Sequence, residues 1–209
     1  MNFETAVEDA VAEAKARNFN QSIDMIINLG KIDLSNPNNR VNEGLKLPYQ
    51  ADEDVKIAVI GDTLVNNGGD AADMAITEDE LEDLFEDPSE ARKIADEYDF
   101  LIAEAPLMPD IGQHLGQVLG PRDMMPDPMP PGSNPTEKIE GLRSTISVRL
   151  KEEPLIQLKI GNEEQDPSNV ARNAQTVYNF LVEQLPEGEN NLKNILLKTT
   201  MGPTVEVQN

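Results

Sequence analysis

Lys56-Ile57-Ala58-Val59-Ile60-Gly61-Asp62 is an apolar run that stops at a glycine. A strand with one wet face alternates in polarity. A strand covered on both faces does not, so this run predicts a buried parallel strand. Asp99-Phe100-Leu101-Ile102-Ala103 repeats the pattern. Between the two runs come a helix, the short segment Asp73-Met74-Ala75-Ile76, and an acidic helix. Thr77 caps that helix, with Glu80 in the capping-box position. Alternating strand and helix predict a small α/β sandwich resembling half a Rossmann fold. Residues 121–135 hold Pro121, Pro126, Pro128, Pro130, Pro131 and Pro135, which predicts a stiff loop without helix or central strand. Pro135-Thr136 then opens a helix through Leu142, and Thr145 to Leu150 returns as a strand.

The chain ends read differently. Val7, Ala10, Val11 and Ala14 recur at helical spacing, predicting an amphipathic helix over 4–17. Ser22 to Leu29 alternates Ile23, Met25, Ile27 and Leu29 with polar residues, as a half-buried strand does. A second alternation of Val41, Glu43, Leu45 and Leu47 stops at Pro48. After Pro154, Ile156, Leu158 and Ile160 alternate again, and Asp166-Pro167 forms an N-cap and first-turn pair for the helix carrying Val170, Ala174, Val177 and Leu181. The expected architecture is α/β and α+β in two domains. Residues 1–50 and 154–209 build a discontinuous α+β domain, and 51–153 form an inserted Rossmann-like α/β domain. The two connections, at about 50 and 153, would act together as a hinge.

Composition bounds the function. With no Cys, the 209 residues hold no disulfide, thiolate metal site or Cys nucleophile. No stretch approaches the roughly 20 apolar residues of a membrane span. Met1-Asn2-Phe3-Glu4 lacks the features of a signal peptide, so a cytoplasmic protein is expected. The net charge is −22. Such a charge ordinarily argues against nucleic acid, because neutralising phosphate needs Lys and Arg. Two other readings compete: an acidic binder of cations or basic partners, and a protein adapted to a very salty cytoplasm. The acids are scattered over helical faces with apolar residues between them, which favours high salt. There the Debye length shrinks to about 3 Å and self-repulsion fades.

Catalytic patterns are missing. His114, the single histidine, sits in a predicted helix with nothing nearby to complete a triad, so a structural or surface role is expected. There is no phosphate-binding Gly-x-x-x-x-Gly-Lys-Ser/Thr loop. The turn Gly61-Asp62-Thr63 is not followed by the full dinucleotide glycine set. A ligand- or nucleotide-binding protein using the α/β insert stands as the alternative reading, on fold analogy alone. The acids from Glu78 to Glu90 lack the order of a calcium loop and read as a solvated helix face. No enzyme, cofactor or metal is expected.

Two segments are built for contact. Thr199-Thr200-Met201-Gly202-Pro203 follows the apolar Ile195-Leu196-Leu197 and precedes the alternating Thr204-Val205-Glu206-Val207. A strand is thus interrupted by a Gly-Pro turn that presents a thioether and two hydroxyls. Arg17-Asn18-Phe19-Asn20-Gln21-Ser22 places an aromatic and a guanidinium among amides at a helix-to-strand junction. Phe19 can be core, or it can pack on a ribose or base while Arg17, Asn18 and Ser22 bind phosphate and 2′-hydroxyls. The residues alone leave both open.

These two segments and Leu119-Gly120-Pro121-Arg122-Asp123-Met124-Met125-Pro126-Asp127-Pro128 resemble, in order, three signatures of the ribosomal protein L-one family in its archaeal form. Asn39-Arg40 before Leu47-Pro48, and Lys159-Ile160-Gly161-Asn162-Glu163, fit as well. The resemblance implies a monomer within the large ribosomal subunit. Its discontinuous domain would bind ribosomal RNA of the mobile stalk, and the protein would assist movement and release of deacylated transfer RNA. It also implies repression of translation by binding the protein's own messenger RNA. Phe19, Ser22, Thr200, Met201 and Gly202 are the implied RNA contacts, joined by Lys159, Gly161 and Asn194, the last where a small hydroxyl residue is usual; Arg17 is an expected contact on its own chemistry. Asp123 and Asp127 replace the family's Gly and Lys, so the central loop is not expected to grip RNA electrostatically. The charge fits this division: residues 1–50 and 154–209 carry a net −5, and 51–153 a net −17.

Overall fold

Burial alternates without exception along Ser22–Leu29, so one face of this segment lines a core and the other does not. A computed structural model describes residues 2–15, 17–51 and 55–208. In chain order the elements begin α1 (Phe3–Ala12), β1 (Ser22–Leu29), β2 (Val41–Lys46), β3 (Ile57–Ile60), α2 (Asp62–Gly68) and β4 (Met74–Ile76). There follow α3 (Glu78–Glu86), α4 (Pro88–Glu97), β5 (Phe100–Glu104), α5 (Met108–His114), α6 (Gly116–Leu119) and β6 (Asp127–Met129). The last are α7 (Thr136–Arg143), β7 (Thr145–Leu150), β8 (Leu155–Asn162), α8 (Pro167–Gln184), β9 (Leu192–Thr199) and β10 (Val205–Glu206).

The chain divides into two compact units, Met1–Glu53 with Ser144–Asn209, and Asp54–Arg143. In the first, an antiparallel sheet runs β10-β9-β1-β8, and β2 pairs with β7 in a separate ribbon. Ile23, Met25, Ile27, Ile156, Ile160, Ile195 and Leu197 pack with Val7 and Ala10 of α1 and Val170, Ala174, Val177 and Leu181 of α8. Asp166 caps α8 by accepting from Ser168 N at 2.8 Å, with Pro167 in its first turn, as the sequence predicts. At roughly 25 cal/mol per Å², burial of these apolar side chains is the main force holding the sheet to its helices.

In the second unit, β4-β3-β5-β6 is a fully parallel sheet. Both faces are covered, as the unbroken apolar run requires. Ala58, Ile60, Leu101 and Ala103 face a cluster with Leu81, Ile111 and Leu115, whereas Ile57, Val59 and Ile102 face Leu64 and Ile139. Thr77 and Glu80 form the capping box of α3.

Several expectations are corrected. Helix α1 ends at Ala12 instead of running to residue 17, because the chain must turn back into β1 and the Lys15 carbonyl is held by the Gln21 amide at 3.2 Å. The proline-rich stretch is not loop throughout. Asp127–Met129 adds an edge strand to β5, tolerable because an edge position does not need the N–H that Pro128 lacks. Strand β7 was expected in the insert but pairs with β2 along six residues, so the second crossing falls at 143/144. The first expected connection, near residue 50, runs into residues 52–54, which lie outside the described residues. The last strand is not simply interrupted. After the turn, β10 folds back onto β9, Val205 opposite Leu197.

Candidate nucleic-acid interface

Register parity decides which side chains meet. In β1 the odd residues face the core, and Gln21, one step before the strand, continues that parity and is fully buried. A buried amide must find partners. Gln21 Nε2 donates to Glu163 Oε2 at 2.9 Å and to the Lys15 carbonyl at 3.2 Å, and its Oε1 accepts from Met201 N at 3.2 Å. Glu163 Oε1 accepts from Gln21 N at 3.0 Å, and Glu163 N donates to the Gln21 carbonyl at 2.9 Å. One glutamine thereby ties together the exit of α1, the start of β1, the end of β8 and the turn after β9.

Ser22 faces the other way. Its hydroxyl lies 2.9 Å from Thr200 Oγ1, and its N–H donates to the same oxygen at 3.1 Å. Thr200 N donates to the Ser22 carbonyl at 3.0 Å, and Gly202 N to the Thr199 carbonyl at 3.1 Å. The turn is fastened from behind while its front stays open: Met201 is 60% exposed and Phe19 52%. The structure therefore resolves the two readings of Phe19 in favour of the surface.

Beyond Ser22, the outer face of the sheet carries Asp24, with Lys159 opposite it on β8 and Lys198 opposite it on β9. Lys198 Nζ also donates to the Thr200 carbonyl at 3.1 Å. Burial is the largest influence on Asp24 and holds its carboxyl above the usual 3.8, against the lowering effects of Lys198, the Ser22 hydroxyl and Lys159. A raised carboxyl favours its protonated form in the fold. The stability it confers is complete below the unfolded value and is lost as pH rises through the folded one. Asp24→Asn is therefore expected to raise the melting temperature at pH 7 by about one or two degrees, a small effect for a half-buried group. The gain should shrink to nothing as pH falls through the carboxyl's titration. Melting curves between pH 3 and 8 test this, and a pH-independent difference would contradict it.

The structure thus brings Ser22, Thr200, Met201 and Gly202 together at one end of the sheet, with Lys159 on the adjoining outer face. Arg17 is exposed in the segment leading to Phe19. Gly161 is buried, and a Cβ there would meet Gln165 Oε1 at 2.6 Å and Val170 Cγ2 at 2.8 Å, so helix packing accounts for this glycine. Asn194 pairs with Asn28, whose Nδ2 donates to it at 2.7 Å. That places it five residues from Thr199 along β9, roughly 17 Å away at strand rise. Gln21, Glu163, Asp24 and Lys198 were not predicted as site residues. Parity could have revealed Gln21 as a buried amide. The Lys159–Asp24–Lys198 row needs cross-strand register that one sequence does not supply.

The uncharged front of this site suits a polynucleotide. Paired hydroxyls can bond 2′-hydroxyls and phosphate oxygens, Phe19 and Met201 offer apolar surface to a sugar or base, and two lysines stand alongside. The alternative site, in the insert, is already filled. At the β3–α2 turn, where a nucleotide phosphate would need the helix N–H groups, Glu104 Oε1 accepts from Thr63 N at 2.7 Å, Thr63 Oγ1 at 2.8 Å and Leu64 N at 3.2 Å. His114 is exposed and stacks on Phe85 with centroids 4.6 Å apart. Among the described residues, no group of three or more His, Asp or Glu is placed to hold a metal ion, and no helix is long and apolar enough to cross a membrane.

Residues 10–203 match the sequence profile of the Ribosomal protein L1p/L10e family. The chain belongs to that family. Relatives called large ribosomal subunit protein uL1 match it over nearly its whole length. The one from Thermococcus kodakarensis is 43% identical over 205 residues, covering 97% of this chain and 95% of the relative. The one from Methanothermobacter thermautotrophicus is 42% identical over 206 residues, covering 97% and 96%. The one from Natronomonas pharaonis is 41% identical over 208 residues, covering 99% and 98%. The match spans both compact units of this L1p/L10e-family chain, and it contains both the Arg17–Ser22 segment and the Thr199–Pro203 turn.

Proposed function

We propose that the protein is a structural, non-catalytic constituent of the large ribosomal subunit in the cytoplasm. It binds ribosomal RNA of the mobile stalk through the end of the sheet built by Ser22 and the 199–203 turn. The unit formed by both chain ends is the RNA-binding domain, and the insert is a second domain joined to it by two chain crossings. From that position the protein assists movement and release of deacylated transfer RNA. The same face would hold a copy of the ribosomal site in its own messenger RNA and so repress translation.

The observation that carries this reading is the fastening of an uncharged turn against β1, which leaves Met201, Phe19 and a hydroxyl pair facing outward in a member of a ribosomal family. Charge plays a small part. The terminal unit holds 18 acids against 11 bases, while the insert holds 21 against six. With few cations at the face, few counterions are released on binding. The plot of log affinity against log KCl is expected to have a slope of about −3 or shallower. Filter binding of a stalk ribosomal RNA fragment across a KCl series tests this. A slope steeper than about −5 would mean that ionic contacts dominate.

A further inference from the structure

Thr199 is fully buried at the end of β9, and its Oγ1 has no hydrogen-bond partner among the described residues. Buried polar atoms normally have one, so a valine of the same shape would be the more stable choice if this side chain only filled space. The hydroxyl sits against Gly202. A Cβ built on Gly202 would lie 2.2 Å from Thr199 Oγ1, but an ordinary 3.5 Å from Thr199 Cβ and 3.6 Å from Ala14 Cβ. Unlike Gly61, Gly132 and Gly188, Gly202 does not lie in the left-handed φ range that favours glycine. Its φ therefore does not itself demand glycine. One atom, the Thr199 oxygen, therefore excludes a side chain at 202.

We propose that Thr199 is a positioning residue of the contact turn: its buried oxygen seats Gly202, and this seat makes glycine obligatory there. An oxygen lets a glycine Cα approach more closely than a methyl does, through a C–H···O contact. The turn is thus drawn inward at Gly202 while Gln21 holds Met201 N. The inference rests on the reading that this turn meets RNA, but it concerns the requirement behind the turn, not the contact in front of it.

The test uses the full chain in high KCl, with melting temperature and affinity for a stalk RNA fragment read separately. Gly202→Ala is expected to lower the melting temperature by roughly 5–10 °C and RNA affinity by at least about 30-fold. Adding Thr199→Ala removes the 2.2 Å contact and leaves only ordinary ones. The double variant should recover most of the melting loss and bind within about fivefold of the parent. Adding Thr199→Val instead keeps a group at the oxygen's place and should rescue neither. Thr199→Val alone should melt no lower than the parent yet bind about tenfold more weakly, and Thr199→Ser should restore binding. A Gly202→Ala defect that Thr199→Ala leaves untouched, or that Thr199→Val relieves equally well, overturns the proposal. A parent chain that fails to bind the RNA overturns the functional reading instead, while the melting arms still decide the coupling.

Discussion

Met201→Asp is expected to lower affinity for stalk ribosomal RNA by at least about 100-fold, near 2.7 kcal/mol, while leaving the melting temperature within about 2 °C of the parent. Met201 is 60% exposed, and its backbone N–H is bonded to Gln21 Oε1 at 3.2 Å. A substitution that keeps this N–H and changes only an exposed side chain normally alters stability by less than about 0.5 kcal/mol. Binding is another matter, because a carboxylate at the centre of a phosphate-bearing interface adds like-charge repulsion to the loss of apolar contact. Met201→Leu keeps the apolar contact and is expected to stay within about threefold of the parent. Filter binding and thermal melts in the same KCl buffer separate the two effects. Equal affinity for parent and Met201→Asp would remove the turn from the interface.

Gly61→Ala is expected to destabilise the insert by about 3–5 kcal/mol, enough to give it a separate, lower melting transition in the full chain. Two independent penalties combine. Gly61 has φ +118°, a conformation L side chains rarely adopt, and an added Cβ would lie 2.5–2.6 Å from Glu104 Cγ, Cδ and Oε1. Glu104 cannot step aside without releasing the three donors of Thr63 and Leu64 that it satisfies. Differential scanning calorimetry reads the transition. RNA affinity below that transition should remain within about threefold of the parent if the terminal unit carries the contacts. A single unshifted transition would show that the β3–α2 turn absorbs the methyl at little cost.

The β3–α2 turn also shows where sequence reading reaches its end. The run from Ile57 to Ile60 is legible as a buried strand because covered strands need no alternation, and Gly61 is legible as a turn. That the turn is occupied by a glutamate from 43 residues further on is not legible, since it depends on β3 and β5 lying side by side. The terminal unit divides in the same way. Strand β1 is readable residue by residue from its alternation, and Asp166-Pro167 announces α8. The early end of α1 is hidden, because Gln21 draws the Lys15 carbonyl out of the helix and no local propensity marks that. Strand β7 carries no local sign that its partner is β2, far away in sequence, and its sequence neighbours point instead to the insert. Among the site residues, Phe19 and Met201 could be proposed from their chemistry, but their exposure, and the single buried glutamine behind the turn, emerge only from the folded chain.

Charge and geometry are consistent here. An acid-rich protein meets a polyanion most easily through atoms without formal charge, and hydroxyls, a thioether and a glycine supply them at the Ser22–Gly202 end. The denser acid load sits on the insert, whose helices α3 and α4 display it to solvent. The acid load thus weighs less on the unit that carries the proposed contact face.

The most direct test of the central claim is ultraviolet cross-linking of the full chain to stalk ribosomal RNA in high KCl, with the cross-linked peptides identified by mass spectrometry. Cross-links are expected at Phe19 and in the 199–203 turn, and they should be lost with Met201→Asp. Cross-links confined to residues 54–143, with none at either segment of the terminal unit, would contradict the account.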